Sequence, residues 1–232
     1  MIIRIGTSGY SYKEWKGSFY PEGLTNDGML EYYAGKFDAV EINNTFYRMP
    51  SSKTIEKWAG QVGDGFTFII KASRRITHMG RLKEVGDSVG YLFDKVAGLG
   101  EKLGPVLFQL PPYLQAEPER LETFLSLLPE GRRAVMEFRH VSWLTDRVYE
   151  TLREHNVAMC LGDGELKQGE VPFLSTADWG YLRLRDVGYD DAKLVSWAKR
   201  IRAQRWSEVF VFFKHEDDGA GPDLARRFRD LF

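Results

Sequence analysis

Eight short apolar, β-branched or aromatic runs recur along this chain, and stretches of helical period separate most of them. That alternation restricts the fold more than any other feature. The runs are IIRIGTS (2–8), AVEIN (39–43), FTFIIKA (66–72), PVLFQLP (105–111), AVMEFR (134–139), VAMCLGD (157–163), YLRLR (181–185) and VFVFFKH (209–215). Runs of this type read as strands. Between them, the stretch after Ser51-Ser52 presents Ile55, Trp58 and Val62 on one side, and 118–128 presents Leu121, Phe124, Leu125 and Leu128. Residues 141–155 and 191–204 have the same helical period. Strands alternating with helices predict parallel βαβ units. Eight such units without a Ser- or Pro-rich linker predict an α/β fold, a TIM-like (β/α) barrel forming a single domain over 1–232. A doubly wound open sheet is the alternative. From Asp163 to Asp178 the pattern is glycine-rich and weakly helical, so one outer helix is expected to be short or missing.

Side chains in a strand alternate between faces. Glu41 therefore shares a face with Ala39 and Asn43, Lys71 with Thr67 and Ile69, Gln109 with Leu107, Glu137 and Arg139 with Val135, and Arg183 and Arg185 with Tyr181. Each face runs from compact residues to polar ones at the carboxyl end. In a barrel of this kind the active site lies at that end. Glu41 is the sharpest case, because a core strand excludes an unpaired carboxylate.

Glu41 and Glu137 are the candidates for general acid and base, with His140 as a proton shuttle. Lys71, Arg74, Arg139 and Arg183 are the candidates for holding an anion, since arginine forks match phosphate and carboxylate oxygens. Asn43, Asn44 and Gln109 would orient polar groups, and Tyr47, Arg48 and Trp143 would contribute from loops over the mouth. Each has a structural alternative: the carboxylates can pair with Lys71, Arg139 or Arg183 in a buried network, and the loop aromatics can plug the barrel.

Glu41, Glu137, Asp163, His215 and Glu216 are of metal-ligand type, but Lys71, Arg139 and Arg183 interleave with them, so metal is the less favoured reading. No cofactor is predicted. HExxH, P-loop and dinucleotide-binding motifs are absent.

The 232 residues carry a net charge of −1, which argues against a global attraction to nucleic acid or anionic membrane. One cysteine, Cys160, rules out an internal disulfide, and its apolar setting points to an inert thiol. No leader and no apolar run near the ~18 residues of a membrane helix stand out. The expectation is a cytoplasmic protein with no membrane contact and no obligate protein partner.

IGTSGYSYKEWKGSFYP, VEINNTFYRMP, KASRRITH, LFQLPP, EFRHVSW and FFKHEDDGAG occur in an order and at separations that resemble the DUF72 family, also called YecE-like proteins. The resemblance spans nearly the whole chain and implies a TIM-like barrel. It implies no particular reaction. Two ends depart from the family pattern: Arg183-Leu184-Arg185-Asp186 stands where Arg-x-His-Gly is common, and Lys214-His215-Glu216 where paired Asn is common. The functional expectation is an enzyme performing metal-independent acid/base chemistry on a small anionic, phosphorylated or polyol-like substrate. The alternative is a nucleic-acid-binding or nucleic-acid-processing barrel, in which Tyr10, Tyr12, Trp15, Phe46, Tyr47 and Trp143 would stack on bases beside the basic rim.

Overall fold

The structure is a computed structural model and describes residues 1–163, 166, 169–186, 188–215 and 219–232. The strands are β1 (Ile2–Thr7), β2 (Ala39–Ile42), β3 (Thr67–Lys71), β4 (Leu103–Gln109), β5 (Ala134–Glu137), β6 (Ala158–Met159), β7 (Leu161–Gly162), β8 (Gly180–Leu184) and β9 (Glu208–Phe213). They follow the predicted runs closely. All pairs are parallel, as consecutive strands joined through helices must be.

The result is an α/β fold whose strands form two sheets, ordered β2-β3-β4-β5-β6 and β1-β9-β8-β7. The expected unbroken ring of ladders is therefore divided. On one side the division falls at Cys160, between β6 and β7; its amide donates to the Met136 carbonyl at 2.9 Å. On the other side a lone parallel bridge joins Ser8 to Glu41, and the Gly9 amide donates to the Glu41 carbonyl at 2.7 Å. Gly6 permits this approach, because a Cβ there would lie 2.0 Å from the Ala39 carbonyl oxygen.

Helices α1 (Met29–Ala34), α2 (Ser52–Gly60), α3 (Gly86–Val96), α4 (Pro118–Leu125), α5 (Asp146–Glu154), α6 (Asp191–Arg202) and α7 (Ala220–Arg229) lie along the connections. Three of their starts are set by capping side chains: Ser51 accepts from the Thr54 amide, Thr145 from Val148 and Asp190 from Lys193. Ser51→Ala is expected to cost about 1 kcal/mol in urea unfolding, because the first-turn amide of an exposed cap loses its acceptor. Helix α4 stops at Leu125, short of the predicted Leu128, and Val62 lies beyond the end of α2. Between Gly162 and Gly180 no helix forms among the described residues, as the weak pattern there predicts. No helix among them is long and apolar enough to cross a membrane.

Strand parity separates two cores. Val40, Ile42, Phe68, Ile70, Val106, Phe108 and Met136 pack outward with the helices. Ala39, Ile69, Leu107, Val135, Ala158, Tyr181, Phe210 and Phe212 form a second cluster between the sheets. At the amino ends of the strands, Glu208 pairs with Arg4 and Arg133, whose guanidinium also lies 5.1 Å from the Phe210 ring centroid. Those contacts close one end. The polar side chains of interest lie at the other.

Candidate functional site

On β2, β3, β4, β5 and β8 the last inward position follows an apolar inward residue by two. Ala39 leads to Glu41, Ile69 to Lys71, Leu107 to Gln109, Val135 to Glu137 and Tyr181 to Arg183. In the parallel register Gln109 lies directly opposite Glu137, while Glu41 lies opposite Ile69 and Lys71 opposite Leu107, so the polar positions step along the carboxyl ends of the strands. The floor beneath is apolar, so these groups meet in a poorly solvated place.

Arg183, 3 % exposed, spans the interior. Its Nη2 donates to Glu41 Oε1 at 2.8 Å and its Nη1 to Glu137 Oε2 at 2.7 Å. Glu41, fully buried, also accepts from Ser8 Oγ at 2.7 Å and from the Tyr181 hydroxyl at 2.5 Å. Glu137 accepts from Arg185 Nη2 at 3.2 Å through its second oxygen. Burial pushes the Glu41 carboxyl up, but Arg183, Tyr181 and Ser8 outweigh it and hold the group below its ordinary range. Glu137 is opposed by the same burial and pulled down further, to about 2, by Arg183, Arg185 and Lys71. Both carboxylates are therefore fixed anions.

This geometry favours the structural alternative for the pair, a buried network around Arg183, over the acid/base assignment. A general base needs a proton affinity near the working pH. Both oxygens of Glu41 accept hydrogen bonds and are sealed from solvent, an arrangement that suits a counter-ion to Arg183. Glu137 reaches open space but remains ionised.

Lys71 differs. Its Nζ donates to Gln109 Oε1 at 3.0 Å and lies 4.6 Å from the Phe46 ring centroid. Among the described residues it has no carboxylate within ion-pair distance. Burial and the charges of Arg183 and Arg185 outweigh Glu137 and Glu41 and bring its proton affinity down to about 8.

A cleft of about 280 Å³ opens beside the network, at the small end of ligand pockets. Glu137, Cys160, Asp163, Arg183, Arg185 and Arg200 are among its walls. The Arg183 Nε is buried, with no hydrogen-bond partner among the described residues. Arg200, on α6, is wedged against Phe173 and Trp197, 4.2 and 4.5 Å from their ring centroids. Among the described residues it has no ion-pair partner. Burial pushes the Cys160 thiol well up, in keeping with an inert residue.

The remaining predicted residues divide. Asn44, Tyr47 and Arg48 line a separate, open groove with Arg75, Tyr91 and Lys95. Arg74 lies 5.9 Å over the Tyr47 ring. Asn43 follows β2, its Oδ1 buried and without a hydrogen-bond partner among the described residues, and Arg139 is half-buried after β5. Trp143 is not at the mouth: it is fully buried, stacks on Phe138 and donates to the Leu114 carbonyl at 2.8 Å. His140 caps the turn that follows it, Nδ1 accepting from the Ser142 amide at 3.2 Å, so the neutral ring carries its proton on Nε2. The expected shuttle role is thus reduced to one nitrogen, and among the described residues His140 makes no hydrogen bond to Glu137. His215 places Nε2 2.8 Å from the Asp186 carbonyl, and Glu216 lies outside the described residues. Among the described residues no group of three or more His, Cys, Asp or Glu side chains is arranged to hold a metal ion.

Ser8 and Arg200 were not among the predicted residues. Ser8 lies within a motif whose serine gives no charge signal, and Arg200 comes from a helix rather than a strand end. Tyr181 was placed on the correct face without a role.

A model of the family described as "Protein of unknown function DUF72" matches residues 4–232. The chain belongs to the DUF72 family. It is 31% identical over 254 residues to the UPF0759 protein YecE of Escherichia coli strain K12, covering 97% of this chain and 90% of the relative. The UPF0759 protein YunF of Bacillus subtilis is 26% identical over 270 residues, covering 99% and 94%. A DUF72 protein from Thermotoga maritima superposes with a TM-score of 0.87 at 25% identity, covering 100% of this chain and 99% of that one. A DUF72 protein from Enterococcus faecalis gives a TM-score of 0.83 at 17% identity, covering 99% and 95%. The second likeness concerns fold alone.

Proposed function

We propose that this DUF72 protein is an enzyme, a TIM-like barrel in a single domain over 1–232, performing metal-independent acid/base chemistry on a small anionic, phosphorylated or polyol-like substrate. The inner cluster and the two hydrogen-bonded junctions between the sheets support the barrel. The carrying observation is the contrast between two kinds of cation. Arg183 is neutralised by Glu41 and Glu137, whereas Lys71 and Arg200 have no ion-pair partner among the described residues.

Lys71 is the proton-transfer group in this reading. Glu41 and Glu137 hold Arg183 in the wall of the cleft, and Arg200 receives the substrate's anionic group. Gln109 orients the lysine. The fixed cations between the carboxylates disfavour a divalent ion, because like charges a few ångströms apart in a poorly solvated site repel.

The nucleic-acid reading needs exposed aromatic faces. Trp15 and Trp143 are buried and Lys71 covers one face of Phe46, although Tyr47 remains exposed. Those placements support the small-substrate reading over it.

Titration calorimetry with inorganic phosphate tests the anion site. Binding at low salt is expected, weakened about 10-fold by Arg200→Ala, which removes charge-assisted hydrogen bonds. Absence of binding, or equal binding by wild type and variant, would remove this assignment.

A further inference from the structure

Lys71 has an environment that a merely structural lysine would not need. Its neighbours include two carboxylates, yet the Glu137 oxygens are taken by Arg183 and Arg185 and those of Glu41 by Arg183, Ser8 and Tyr181. Among the described residues the amine is left with one neutral acceptor, Gln109 Oε1, and an aromatic wall, Phe46. It sits at the carboxyl end of β3, half-buried and above an apolar floor. An amine so placed keeps a usable lone pair more readily than one held by a carboxylate.

We propose that Lys71 is a nucleophile that forms a Schiff base with the carbonyl carbon of a small anionic aldehyde or ketone. The inference rests on the preceding reading and adds the substrate class. The amine attacks the carbonyl carbon, forming the C–N bond as the C=O π pair moves to oxygen. A proton passes from nitrogen to that oxygen, giving a carbinolamine. A second protonation lets the hydroxyl leave as water while the nitrogen lone pair forms C=N. Carbon and nitrogen keep their oxidation states, so no redox partner is needed.

Two surroundings suit this step. Neighbouring cations and burial are the recognised means of keeping a lysine nucleophilic, and here Arg183 and Arg185 supply the cations. The neighbouring cleft, walled by Glu137, Arg183, Arg185 and Arg200 and not by Lys71 itself, provides for the anionic end of a substrate. The charged and titratable groups facing the amine are Glu41, Glu137, Arg183 and Arg185, with His78 across the Phe46 ring at 4.8 Å between centroids. Burial and Lys71 both push His78 down, so it stays neutral where the amine becomes reactive.

The test is trapping with cyanoborohydride on the full-length protein, using pyruvate and, as a neutral ketone, acetone, followed by peptide mapping. Pyruvate is expected to modify Lys71 at least about 10-fold faster than exposed Lys53 and Lys199 of the same molecule, an internal comparison that needs no variant. Lys71→Arg should remove that fast adduct and leave the slow ones. Trapping at Lys71 no faster than at the exposed lysines would overturn the nucleophile, even where phosphate binding is intact. Equal trapping by acetone and pyruvate would overturn the anionic substrate class and count against the anion site itself.

Discussion

Arg183→Met is expected to lower the stability of this protein by about 3–5 kcal/mol at about pH 7, because it leaves two buried carboxylates without their shared cation. The pH dependence identifies the cause. In the wild type the Glu41 and Glu137 carboxyls lie below their ordinary range. Their contribution is complete above the unfolded carboxyl value and is lost as pH falls toward the Glu137 value of about 2. In the variant, burial remains and its main opponent is gone. A carboxyl raised in the folded state is tolerated at low pH and destabilises as pH rises through that raised value. The deficit should therefore be larger at about pH 7 than at about pH 4, read by urea unfolding at both. A deficit independent of pH would mean that lost packing, not charge, explains the effect.

Gly162→Ala is expected to cost about 2–4 kcal/mol, the sum of a backbone strain and an overlap. Gly162 has φ +147°, and a Cβ there would lie 2.0 Å from the Arg183 carbonyl oxygen. That neighbour is backbone, so no rotamer change relieves the contact. Gly162 is also the register partner of Arg183. The strand carrying the central cation must shift, and phosphate affinity should fall together with stability. Gly63→Ala, where a Cβ meets nothing within 4 Å, is the control and should be near neutral. Full phosphate affinity in Gly162→Ala would show that the cleft does not depend on this register.

The alternation of strand faces was legible because its period is independent of partners. Ala39 with Glu41, Ile69 with Lys71, Leu107 with Gln109, Val135 with Glu137 and Tyr181 with Arg183 share the inner faces as the pattern predicts. The pairings were not legible. Arg183 reaches across 142 positions to Glu41 and 46 to Glu137, and nothing local says that one guanidinium satisfies both. Until that is known, Lys71 looks like another anion-holding cation and Glu41 like a catalytic acid.

The misplaced loop residues have local reasons. Trp143 follows a strand-end motif, but the turn at Val141–Trp143 carries it inward to the Leu114 carbonyl. His140 precedes a serine whose amide it caps. The division of the sheet at Cys160 is equally invisible, since VAMCLGD reads as one strand while its two halves pair with different neighbours.

Glu41 occupies two structures at once. Its side chain balances Arg183, and its backbone makes the bridge to Ser8 where the first and second strands meet. Ser8 joins both, through backbone bridge and hydroxyl. A descendant sequence cannot recolour the charge at this position without also renegotiating how the amino-terminal strand docks.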